Sequence, residues 1–102
     1  MAEQRKHHRV PVDFVVTCIP DDAASFQGVV KDVSVGGLFV EAEQTPPFGS
    51  ALTLAVKGLA ARELRLPCVV RWVEPRGFGV QFGLLGAYAT HVIVDLVKKH
   101  TS

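Results

Sequence analysis

Leu64-Arg65-Leu66-Pro67-Cys68-Val69-Val70-Arg71-Trp72-Val73 decides the fold, because Leu64, Leu66, Cys68, Val70 and Trp72 alternate with Arg65, Pro67, Val69, Arg71 and Val73. A period of two puts the sets on opposite faces of a strand, one turned to a core. On this parity Trp72 falls on the apolar face, as a core or barrel-end tryptophan. Pro67 has no N–H to give a ladder, which predicts an edge or a bulge there. Glu74-Pro75-Arg76-Gly77 turns the chain, and Phe78, Val80 and Phe82 form the return strand.

The same alternation recurs on the N-terminal side. Residues 51–57 carry Leu52, Leu54 and Val56 on one side, after a break at Thr45-Pro46-Pro47-Phe48-Gly49. Residues 38–42 form a short strand and 26–33 a longer one, set antiparallel by a tight glycine turn between them. Val12, Phe14, Val16 and Cys18 share a face of a strand over 12–19, with Pro11 fixing φ at its mouth. Six short strands with turn signals at close intervals predict an all-β antiparallel barrel or sandwich. The chain closes differently: Ala89, Val92, Ile93, Leu96 and Val97 recur at helical spacing, and Lys98 and Lys99 suit the last turn of a helix. The expected division of this single domain, 1–102, is a flexible basic arm over 1–10, a barrel over 11–84 and a helix over 87–100.

A chain of 102 residues, 48% hydrophobic, is one domain with a core of its own. The net charge of +1 argues against a protein that coats duplex DNA through its overall field, so an anion site has to be local. No apolar run approaches the roughly 18 residues of a membrane span, and the polar N-terminus lacks the apolar core of an export signal. The expectation is a cytoplasmic protein without membrane insertion, with Cys18 and Cys68 as reduced core residues. His91 and His100 are nine apart and His7 and His8 adjacent, a spacing that suits no metal on a helix face. Ser34 has no local base and no nucleophile elbow is present, so neither an enzyme nor a cofactor is expected.

Two polar stretches remain. Arg5-Lys6-His7-His8-Arg9 places two guanidinium forks four residues apart, each able to grip phosphate oxygens or the O6/N7 edge of guanine. Read alone it is more simply a solvated basic tail. Asp32-Val33-Ser34-Val35-Gly36-Gly37 offers a carboxylate that can accept guanine N1–H and N2–H and a hydroxyl that donates or accepts. Gly36 and Gly37 admit positive φ and close approach, yet read alone the segment is an ordinary turn. Arg71 and Arg76 read as solvated charges.

Together and in this order, the two stretches resemble the motifs of the PilZ domain, a bacterial receptor module for the second messenger cyclic di-GMP. Arg5 and Arg9 match R-x-x-x-R, and Asp32, Ser34 and Gly37 match D/N-x-S-x-x-G. Gly-Leu-Phe-Val at 37–40, Val70-Arg71-Trp72 and Gly79-Val80-Gln81-Phe82 are also similar to the family. The resemblance covers nearly the whole chain and implies a six-stranded antiparallel barrel with a C-terminal helix. It implies a cyclic di-GMP site at Arg5, Arg9, Asp32, Ser34, Gly36 and Gly37, with Lys6 adding attraction for phosphate and Trp72 at a position that can stack on guanine. Many members carry arginine where this chain has Gln4, a position thought to influence whether one nucleotide or a stacked pair binds. The expected mechanism is an arm ordered by ligand and read by an unidentified downstream protein. The alternatives are an interaction adaptor of the same fold that binds no nucleotide, and a small barrel for single-stranded RNA or DNA. The last is disfavoured, since the aromatics alternate into core positions.

Overall fold

The computed structural model describes residues 9–99. The expected arm therefore lies outside the described residues, with Arg9 and Val10 excepted, and so does His100. Six strands, β1 (Val10–Pro20), β2 (Phe26–Val33), β3 (Gly37–Glu41), β4 (Ala51–Val56), β5 (Leu64–Glu74) and β6 (Gly77–Phe82), precede one helix, α1 (Ala87–Lys99). The strands close into a barrel in the order β1-β2-β3-β6-β5-β4, every pair antiparallel. The all-β barrel and its helix are as the sequence predicts. The first strand starts two residues earlier than its alternation suggests, because Val10 pairs with Val33 and is buried.

The inward set fills the barrel. Phe78, Leu38, Leu52, Leu54, Leu64, Leu66 and the inward valines are fully buried, each contributing roughly 1.5–3 kcal/mol. Phe78 meets Phe26 edge to face, with ring centroids 6.2 Å apart. Cys18 and Cys68 are buried free thiols, and burial pushes both up to about 12. On α1, Ala89, Ile93 and Val97 stand four residues apart and bury one face against the barrel. Arg62 lies 4.1 Å over the Tyr88 ring and ties the β4–β5 connection to the helix.

No bulge falls at Pro67, and the edge predicted there is a local one, because residues 64–67 of β5 pair with β4 alone. Pro67 pairs regularly with Thr53 on β4, and its carbonyl, on the other side, accepts from Gly83 N at 2.7 Å. Its missing N–H faces the place where β6 has just ended, so no ladder bond is lost. The bulges fall elsewhere. The register of β1 against β2 shifts between Pro11 and Phe14. The two bulges that shape the outer face lie in β2 between Val30 and Asp32 and in β5 between Val70 and Trp72, where Lys31 and Arg71 are the extra residues. Beyond each bulge the inward and outward positions of the strand exchange. Val30 and Val33, three apart, are both fully buried, and Asp32 between them is turned out.

Trp72 is turned out in the same way, which corrects its assignment to the core. It pairs with Gly79, whose neighbours Phe78 and Val80 are buried in the barrel, so Gly79 itself faces outward. A Cβ at Gly79 would stand 2.0 Å from Cε2 and Cζ2 of Trp72: the indole lies flat on the outside of β6, in space that glycine leaves open.

Candidate ligand-binding site

The two bulges bring Asp32 and Trp72 onto one outer face of β2, β3, β6 and β5. The register aligns Pro11, Asp32, Phe39, Gly79 and Trp72 in a row across the sheet. One step along, Glu41, Gly77 and Glu74 form the next row. At Gly77 a Cβ would meet Val40 O first, at 2.1 Å, and the edge of the Phe39 ring next, with Cζ at 3.0 Å.

Arg9 stands at the mouth of β1 and reaches across this face. Its Nη1 donates to Oδ1 of Asp32, and its guanidinium lies 5.0 Å from the Trp72 ring centroid. The side chains of Arg9 and Asp32 remain 20% and 33% exposed, so the pair is worth no more than about 1 kcal/mol to stability. Its consequence is orientation. A guanidinium has five donors, and one bond to Asp32 leaves the rest of the fork available.

Arg9 and Trp72 divide the face into two clefts. One of about 670 Å³ is lined by Arg9, Asp32, Phe39, Trp72 and Glu74. The other, about 290 Å³, is lined by Arg9, Ser34, Gly36, Gly37, Arg71, Trp72, Val80 and Gln81. In the second, Arg71 Nε donates to Gln81 Oε1 at 2.9 Å, which holds a second guanidinium near the first.

The turn after β2 shapes this second cleft. Ser34 is buried, and its hydroxyl donates to Gly37 O at 3.3 Å and accepts from Gly36 N at 3.2 Å. Ser34 N also donates to Gly37 O at 2.8 Å, and Gly36 O accepts from Phe82 N at 2.9 Å, stapling the turn to the end of β6. Positive φ is not what the glycines supply, contrary to expectation: the left-handed glycines among the described residues are Gly49 and Gly58. At Gly37 the need is space, since a Cβ there would stand 2.0 Å from Val80 O.

Of the residues singled out from the sequence, Arg9, Asp32, Ser34, Gly36, Gly37 and Trp72 meet on this face. Gln4, Arg5 and Lys6 lie outside the described residues. Phe39, Glu74, Arg71 and Gln81 also line the clefts and were not foreseen as site residues. The glycine at 79 is the one local signal for the ring that covers it.

A sequence profile of the PilZ domain matches residues 3–99. The chain belongs to the PilZ family. The match spans the arginines at 5 and 9, the Asp32 turn, the barrel and the helix. No curated protein matches the chain. Among solved structures it is similar to the PilZ domain of CeSA from a cellulose-synthesizing bacterium, with a TM-score of 0.72, 20% identity, and 90% of this chain and 96% of that one covered. It is similar to the PilZ domain of YcgR from Escherichia coli, solved with c-di-GMP, with a TM-score of 0.76, 10% identity, and coverage of 96% and 92%. The Bacillus subtilis inhibitor of motility MotI/DgrA gives 0.77 at 16% identity, and this PilZ chain, 96% covered, spans 51% of it. At these identities the likeness is one of fold. No helix among the described residues is long and apolar enough to cross a membrane.

Proposed function

We propose that the chain is a cyclic di-GMP receptor that acts by binding and not by catalysis. The observation that carries this reading is the contact of Arg9 with Asp32: the second arginine of one family motif meets the acidic residue of the other, on an outer face with two aromatic rings. The PilZ domain of YcgR, solved with c-di-GMP, and PlzA of Borreliella burgdorferi, solved in complex with c-di-GMP, support the ligand class.

In this reading Arg9, aimed by Asp32, and Arg5 of the N-terminal arm grip phosphate and the O6/N7 edge of guanine. The Ser34 turn, with Gly36 and Gly37, keeps the second cleft shallow enough for the phosphates to approach, and Arg71 adds cationic charge there. Trp72 offers its face to a base. Ligand orders the arm against the barrel, and the surface so formed is read by a downstream protein. Nucleic acid is not the partner in this scheme. Equilibrium dialysis with cyclic di-GMP tests it. Saturable uptake that is lost in Arg5→Ala and in Arg9→Ala is expected, and no uptake by the unaltered chain leaves the adaptor reading in its place.

A further inference from the structure

The larger cleft holds a carboxylate that the proposed scheme does not use. Glu74 is the last residue of β5, two positions beyond Trp72, and lines the cleft of about 670 Å³ with Arg9, Asp32, Phe39 and Trp72. A carboxylate beside a site for a phosphate-bearing ligand needs an explanation, because it repels the anionic part of that ligand. Asp32 already spends an oxygen on Arg9, and Gln81 spends its carbonyl on Arg71. Glu74 is exposed, and its carboxylate has no hydrogen-bond or ion-pair partner among the described residues. The larger cleft is therefore lined by two aromatic rings, a cation and an uncommitted double acceptor.

A purine seated against these rings presents different edges to the two charges. Guanine has acceptors at O6 and N7, which suit Arg9, and adjacent donors at N1–H and N2–H, which suit a carboxylate. Adenine replaces the N1 donor with a lone pair, which a carboxylate repels. On the reading that the site binds a cyclic purine dinucleotide, we propose that Glu74 is its specificity-determining residue, accepting N1–H and N2–H of a guanine seated over Phe39. The phosphates are thereby assigned to the smaller cleft, where Arg9 and Arg71 stand together and Glu74 does not reach the lining.

The test compares cyclic di-GMP with cyclic di-AMP by calorimetry on the unaltered chain and on Glu74→Gln and Glu74→Ala. Glu74 is exposed and ends its strand, so neither change disturbs the core. The unaltered chain should prefer the guanine ligand. In Glu74→Gln that preference should shrink by roughly ten- to a hundredfold, the worth of a bidentate base contact. Part of the change should be a gain for cyclic di-AMP, because an amide can donate to adenine N1 and accept from its N6 amine. Glu74→Ala should lose guanine affinity and gain less for cyclic di-AMP than Glu74→Gln does, since it relieves the repulsion of adenine N1 without supplying a donor. Unchanged preference in both variants overturns the assignment, as does tighter binding of both ligands, which would make Glu74 a mere repeller of phosphate. If the unaltered chain binds neither ligand, the receptor reading itself fails, which is a separate result.

Discussion

Gly79→Ala tests whether the glycine at the centre of β6 exists to seat Trp72. The new Cβ would stand 2.0 Å from two indole carbons, so the ring has to withdraw by well over an ångström. Trp72 is half-buried on the outside of the barrel, and it can swing toward solvent without opening the core. The stability loss should therefore stay at or below the low end of the about 1–3 kcal/mol typical of overpacking. Binding should suffer more. A displaced ring forfeits its contact with Arg9, about 0.5–1 kcal/mol at an exposed site. It also forfeits part of the about 1–3 kcal/mol a base gains by stacking on an aromatic face. A combined loss of about 2 kcal/mol weakens the Kd for cyclic di-GMP roughly thirtyfold. Trp72 is the only tryptophan, so its fluorescence reports both ring and ligand. Emission of the free variant should move to longer wavelength, and a titration should give the weakened Kd while thermal unfolding confirms an intact fold. A variant with unchanged emission that binds within about threefold of the unaltered chain, under about 0.7 kcal/mol, refutes this role for Gly79.

Two further outcomes concern the core. Phe78→Ala, which empties the barrel centre beside Phe26, should cost about 3–5 kcal/mol and be read as a large fall in Tm; a loss below about 1 kcal/mol would mean the barrel collapses around the cavity. Burial raises both thiols to about 12 from 9.0, so the folded state keeps protons that the unfolded chain releases. Their contribution to stability is complete below about pH 9 and is lost as pH rises from there through about 12. Denaturant midpoints measured across that window should fall less steeply in Cys18→Ala/Cys68→Ala, and an unchanged slope would contradict the effect of burial on the thiols.

Much of the fold was legible because alternation of period two is a local property. The inward residues of β4, of β6 and of β5 as far as Val70 were readable from it, and so was the face of α1 formed by Ala89, Ile93 and Val97. The site was less legible because it depends on two bulges. An extra residue at Lys31 or Arg71 leaves no trace in its own strand; it exists only relative to the partner's register. Strict parity therefore sent Trp72 inward, and it could not say that Phe39 and Glu74 would flank a cleft with Asp32. Likewise, the glycine pair at 36 and 37 signalled a turn, but the demand for space at Gly37 comes from the carbonyl of Val80, on a strand remote in the chain.

On the proposed reading, Arg9 and the Asp32 turn form half of a nucleotide clamp. Calorimetric titration with cyclic di-GMP, run on the unaltered chain and on Arg9→Ala, tests it most directly. Saturable binding is predicted, with a defined stoichiometry and a loss of about 2–5 kcal/mol in the variant, the cost of leaving a phosphate unpaired. Binding of equal strength in both proteins would contradict the claim.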